Sequence, residues 1–427
     1  MRGLCFSFAS FIEQSMEKEA DKVYIVGAGI SGLIAAYELE QAGFTPVILE
    51  KSDAVGGRVR TVHVDGYDLD IGFQVLLSAY PEAQKYLDFD ALKLQRLESG
   101  AQIMVDGKRY IIGDPLRNMK LLAPTVEARI GSVADKLKVL RLNAKLKKKT
   151  IAEIFESPET STLDYLQSAG FSEKIIMRFF RPFFAGIFLE PNLYTSSRMF
   201  EFVYKMFGEG YATIPEGGIG AIAEQLLRKL SATELHYGQD VISVTNEKIA
   251  LASGEVISHE GVIITAGASE LVPNLKEEST KWKSCMCLYF EVDQTTIPAR
   301  TIALVAEQGK RINNLYGFMD AQGRHLLSAT VLDYTGIDQE NLTEQVAQEV
   351  REYCGVTKIK HIKNFNIRQA LPDLANLRMD GQPSETQLTQ NIFLAGDTVM
   401  NGSLNAAMKS GALAAKGLIE KRQGVFA

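Results

Sequence analysis

Six residues, Gly27-Ala28-Gly29-Ile30-Ser31-Gly32, set three glycines at the spacing G-x-G-x-x-G directly after a β-rich run at 23–26. A helical pattern follows, with Leu33, Ala36, Tyr37 and Leu39 on one face and Gly43 closing it. Residues 46–49 read as a second strand, ending at Glu50 and Lys51. Each part suits a dinucleotide. Gly27 permits a tight turn, Gly29 lets a pyrophosphate approach the backbone, and Gly32 allows the helix to pack closely on the strand. The free N–H groups at Ser31 and its neighbours offer the phosphates a partial positive charge. A carboxylate at Glu50 accepts hydrogen bonds from ribose hydroxyls and repels a ribose phosphate, which disfavours NADP and leaves NAD or FAD.

Two further motifs separate those cofactors. Gly56-Gly57-Arg58 follows closely, and a D-x-D-x-G stretch runs from Asp68 through Gly72 to Phe73. Far along the chain, residues 391–397 form a strand pattern ending in Ala395-Gly396-Asp397, and Ser403, Leu404 and Asn405 open a helix. Together these motifs resemble the flavin amine oxidase superfamily, which includes amine oxidases, protoporphyrinogen oxidases and phytoene desaturases. The resemblance implies FAD. It places Gly56, Gly57 and Arg58 at the pyrophosphate, Gly72 and Phe73 beside the flavin, and Asp397 on the ribityl chain. It also implies that the helix opening at Ser403 meets the flavin edge that becomes negative on reduction. The stretch 213–220, with its Pro215-Glu216-Gly217-Gly218 turn, and the strands after it resemble the family's middle segment, which sets Val241 at the adenine. No cysteine follows Cys354. Members with a covalently linked flavin use a cysteine near the C-terminal motif, so non-covalent FAD is expected.

The fold implied is α/β, a Rossmann-like FAD-binding domain of the glutathione-reductase type with an inserted α+β substrate domain. The expected division is a leader at 1–21, an FAD-binding domain at 22–77, 208–270 and 388–424, and a substrate domain at 78–207 and 271–387. Two stretches of the latter stand out. Residues 134–150 carry Lys136, Lys138, Arg141, Lys145, Lys147, Lys148 and Lys149 among Leu137, Leu140 and Ala144 at helical spacing. That is either a membrane-surface helix or, more simply, a solvated helix with one face on the domain. Residues 178–189 hold Phe180, Phe183, Phe184 and Phe188, candidates for the wall of an apolar pocket or for ordinary core. Phe200, Phe202, Tyr204 and Phe207 extend the aromatic run.

Composition bounds the partners. A net charge of −6 over 427 residues argues against nucleic acid. No apolar run reaches the roughly 18 residues of a bilayer span. Four cysteines without a C-x-x-C pair fit a reducing compartment or no redox role, and five isolated histidines show no metal-ligand spacing. A cytoplasmic protein is expected, with peripheral membrane contact as the alternative.

Flavin chemistry asks for positioning and exclusion of water more than for catalytic side chains. Amine oxidases of the family carry a lysine near flavin N5; the comparable stretch, 283–290, puts Cys287 or a neighbour there, with Lys283 too early. The family's aromatic cage also lacks a counterpart, since no aromatic residue lies between Ile367 and Phe393. The expectation is dehydrogenation of an apolar molecule, isoprenoid, carotenoid or porphyrin-like, with oxygen or a quinone as acceptor. The rival readings are an amine oxidase releasing peroxide, a non-redox flavin isomerase, and a non-catalytic FAD-binding scaffold.

Overall fold

A parallel sheet of five strands carries the glycine-rich turn. In spatial order its strands are Glu234–His236, Thr45–Leu49, Lys22–Val26, Val262–Ile264 and Ile392–Leu394. Every neighbouring pair is parallel. The computed structural model describes residues 22–113, 118–275 and 279–425, so the expected leader at 1–21 lies outside the described residues. Val23, Ile25, Ile48, Val262 and Ile263 are fully buried, as strands covered on both faces must be.

Two helices meet over this sheet. Ile30–Gln41 follows the glycine turn, and Leu404–Arg422 packs along it. Their backbones touch: a Cβ at Gly411 would sit 2.3 Å from the Ser31 carbonyl oxygen. Ser410 accepts the amide of Gly396 at 2.9 Å, so the same helix also holds the A-G-D turn.

A second sheet has seven strands, in the order Ile359–Asp373, Lys281–Val292, His325–Val331, Ile312–Met319, Ile302–Val305, Gly100–Val105 and Lys108–Gly113. Its pairs are antiparallel except Ile302–Val305 with Gly100–Val105. Helices from residues 133 to 209 pack nearby around a cluster of phenylalanines.

The lysine-rich stretch forms the helix Val133–Lys148. Its Leu142 and Leu146 are buried, while Leu137 and Leu140 face solvent. The start is a capping box: Ser132 Oγ accepts the Asp135 amide, and Asp135 accepts the Ser132 amide. Asp135 also accepts the amide and hydroxyl of Ser172 at 2.9 and 2.7 Å. Burial raises its pKa, but the hydrogen bonds from Ser172 and Ser132 outweigh that and hold it at about 2. Because the folded pKa is depressed, its stabilisation is present above the ordinary carboxylate range and is lost as pH falls through about 2. Asp135→Ala should destabilise the fold by roughly 3 kcal/mol at neutral pH, because it strips a helix cap and charged hydrogen bonds at once. A urea midpoint unchanged in that variant would disprove the role.

Candidate active site

The glycine turn begins with Gly27 at φ +100°, where a side chain would also meet Thr265 Oγ1 at 2.6 Å. Gly32 is tighter: a Cβ there would lie 2.0 Å from the Gly27 carbonyl oxygen. Gly29 differs from both. Its backbone is extended (φ −68°, ψ 176°), and a Cβ would meet nothing within 4 Å. It faces open space at a helix start that has no side-chain cap and no acid in its first turn. Such a helix start suits an anion.

The second glycine pair closes the turn. The Gly56 amide donates to the Ala28 carbonyl at 2.9 Å, and a Cβ on Gly57 would stand 3.5 Å from the Gly29 Cα. Glu50, nearly buried, accepts the Ala28 amide at 2.6 Å and the Ser52 amide at 2.8 Å. Those bonds orient its carboxylate at the end of the second strand, where a ribose would lie.

Arg58 and Asp397 join the two ends of the site, 339 residues apart in sequence. The guanidinium forks onto the buried carboxylate, one arm at 2.9 Å, and lies 5.1 Å from the centre of the Trp282 ring. Arg58 thus meets a carboxylate of the site itself, in the wall of the cavity that also takes in Gly29 and Gly57. Ser403 caps the C-terminal helix by accepting the Ala406 amide at 3.0 Å.

One cavity of about 770 Å³ contains Gly27, Gly29, Ser31, Glu50, Gly56, Gly57, Arg58, Gly72, Phe73, Asp397, Ser403 and Leu404 in its walls. Its volume is in the upper part of the range for small-molecule sites. Beyond the glycine turns, one side of the wall comes from the seven-stranded sheet (Lys283, Cys285, Leu304, Asn314, Thr330, Ile367) and another from helices (Phe183, Ile187, Phe188, Met199, Val203, Phe207). The floor under Gly72 is stapled to the middle segment, since Asp70 accepts the Ile219 amide at 3.0 Å and the Thr61 hydroxyl at 2.6 Å. Burial pushes the Asp70 carboxyl above its usual range.

Other expected site residues lie outside the wall. Gly32 and Gly396 are packing positions; a Cβ on Gly396 would come within 2.7 Å of the Thr265 carbonyl oxygen. Asn405 is fully buried and accepts the Glu82 amide at 3.0 Å. Lys51 is exposed and pairs with Asp240 at 2.9 Å. Val241 is buried in an apolar cluster, two residues after Gln239, whose amide donates to the Glu50 carbonyl at 2.8 Å.

The aromatic run divides. Phe183 and Phe188 line the cavity, but Phe180 and Phe184 do not. Both are fully buried and pack on Phe200, with Phe184 at 4.7 Å between ring centres. A second expectation is corrected on the strand Lys281–Val292. Cys287 lies in a closed cluster with Tyr67 and Tyr289, whereas Lys283 and Cys285 reach the cavity. The Lys283 ammonium is nearly buried; it pairs with Asp373 at 3.2 Å, donates to Thr195 Oγ1 at 3.2 Å and lies over the Tyr194 ring. Burial, with the neighbouring Cys287, pushes the Cys285 thiol up to about 12, so it is protonated at neutral pH.

The glycine-lined helix start, the carboxylate of Glu50 and an apolar chamber share one cavity, an arrangement that suits a dinucleotide cofactor beside an apolar ligand. The family model described as "flavin containing amine oxidoreductase" matches residues 30–419. The chain belongs to that family, and FAD is its cofactor. A protoporphyrinogen oxidase of Arabidopsis thaliana is 30% identical over 167 residues, 39% of this chain and 32% of that protein. The match thus spans about a third of that relative's length. A solved structure of a putative protoporphyrinogen oxidase from Exiguobacterium sp. 255-15 superposes with a TM-score of 0.70 at 20% identity, covering 94% of this chain and 99% of that one. A redesigned putrescine oxidase gives 0.68 at 16% identity, covering 93% and 98%. At these identities the two structures share the fold.

Proposed function

We propose that this chain is an FAD-dependent dehydrogenase that desaturates a bulky apolar small molecule, an isoprenoid or carotenoid chain or a porphyrin-like ring. The observation that carries this reading is the continuity of the cavity, in which Gly29, Glu50 and Asp397 share one space with Phe183, Ile187 and Phe207. We read the parallel sheet as the heart of a Rossmann-like domain drawn from 22–77, 208–270 and 388–424, with 78–207 and 271–387 as the substrate domain.

When bound, FAD supplies the ring that accepts a hydride from a substrate carbon. The chain's residues do the remaining work. The amides after Gly29 and the carboxylates of Glu50 and Asp397 bind and orient the cofactor non-covalently. The aromatic and aliphatic wall positions the substrate and excludes water. A proton would leave the substrate to solvent, and oxygen or a quinone would accept the two electrons. The stretch before Asp397 contributes Ile367, Leu371, Leu374 and Leu377 to this wall, and no aromatic ring. That favours an apolar substrate over an amine held in a cage.

Amine oxidation is the second reading. It is favoured by Asp373, a carboxylate in the cavity wall held beside Lys283 and Tyr194. One experiment separates the two. Heat should release FAD from the purified protein. Anaerobic mixing with polyene and porphyrinogen substrates should then bleach the flavin at least roughly tenfold faster than simple amines do, the scale on which an apolar wall discriminates. Faster bleaching by simple amines, with peroxide released once oxygen is admitted, would overturn the first reading in favour of the second.

A further inference from the structure

Thirteen large apolar side chains are exposed among the described residues, and seven of them lie between Ile111 and Leu140. Scattered singly, such residues mean little; clustered, they mark a contact surface. On the helix Val133–Lys148 the exposed Val133, Leu137, Leu140 and Ala144 fall at i, i+4, i+7 and i+11, one continuous stripe. The opposite face buries Leu142 and Leu146. The preceding helix Leu122–Glu127 exposes Leu122 and Val126, one turn apart, and Met119 just before it is 72% exposed. The surface is built. Lys136 Nζ donates to the carbonyls of Val126 and Ala128 at 2.6 and 3.1 Å, which ties the end of the first helix to the start of the second.

Charge identifies the occupant. Residues 118–149 hold nine basic and two acidic side chains in a chain whose net charge is −6. Lys120, Arg129, Arg141, Lys147 and Lys148 are exposed, and their side chains have no ion pair among the described residues. We propose that this face docks on an anionic lipid surface, the apolar stripe entering the headgroup boundary and the cations meeting lipid phosphates. A symmetric pairing of two copies through the patch would set like charge against like charge. No helix among the described residues is long and apolar enough to cross a membrane, so the contact is peripheral. The docked helix packs on Ser197–Glu209, whose Met199, Val203 and Phe207 line the cavity. The chamber therefore stands one helix away from the lipid.

The test is sedimentation of the flavin-loaded full chain with vesicles of phosphatidylcholine alone and of equimolar phosphatidylcholine and phosphatidylglycerol. Binding should require the anionic lipid and weaken as salt is added. Leu137→Glu with Leu140→Glu, and separately Arg141→Ser with Lys148→Ser, should each weaken it roughly tenfold or more, at about fivefold per basic residue removed. Flavin absorbance and circular dichroism should be unchanged, because all four side chains are exposed. Wild type that ignores both vesicles, or variants that bind as well as wild type, would overturn the proposal. Self-association abolished by the leucine variants would overturn it too and assign the face to a second copy.

Discussion

Gly29→Val is expected to give a folded, colourless protein. The extended backbone at Gly29 suits any residue, and its Cβ direction is open for 4 Å, so the ligand-free fold should lose no more than about 0.5 kcal/mol. The same open space is the proposed phosphate cradle. A branched side chain there displaces a pyrophosphate by far more than the ~0.5 Å a binding constellation tolerates, so flavin content should fall roughly tenfold or more. Gly32→Val is the contrast. Its Cβ would collide with the Gly27 carbonyl at 2.0 Å, so stability and flavin should fall together. Absorbance per mole of protein, read beside a urea midpoint, separates the two. Normal flavin in Gly29→Val would withdraw the assignment of the whole turn.

The second large effect should come from Gly411→Leu. This residue is distant from the glycine turn in sequence but touches it, because its Cβ would enter the Ser31 backbone at 2.3 Å. Backbone cannot rotate away as a side chain can, so the two helices must separate. Overpacking of this kind costs on the order of 3 kcal/mol. Separation also moves the helix start that faces the phosphates and the Ser410 hydroxyl that holds Gly396. The expected result is a lowered urea midpoint with weakened flavin retention; added FAD should restore part of the stability by mass action. A variant as stable as wild type would show that the helices are not in close contact there.

These two glycines show what was legible in the sequence. Gly27, Gly29, Gly32, Gly56 and Gly57 could be read because each answers a local backbone demand written within a few residues. The strand runs at 23–26 and 46–49 were equally local. Gly411 answers no local demand; its reason is a neighbour on another helix. The phenylalanines failed for a different cause. Ile176–Phe180 is a π-helical turn, which shifts the phase of the helix Arg181–Phe188 that follows. No 3.6-residue count could tell that Phe183 faces the cavity while Phe184 packs in the core. On the strand Lys281–Val292 the pairing with Ile359–Asp373 slips between Lys283 and Cys285. The extra residues lie in the partner strand, where Leu371 to Ile367 spans Lys283 to Cys285, so Lys283, Cys285 and Cys287 keep alternate positions; what parts Cys287 from the cavity is its packing with Tyr67 and Tyr289, which no count along the strand shows.

The fork between Arg58 and Asp397 has a consequence for how the protein is made. A ribosome releases the glycine cradle early, while the strand Ile392–Leu394, Asp397 and the helix that presses on Ser31 are still unsynthesised. Domains emerging in pieces generally wait for their last element before they close. The nascent chain thus carries a glycine turn open on the side where Asp397 and Gly411 will later stand, and flavin is expected to be retained only after that segment is made.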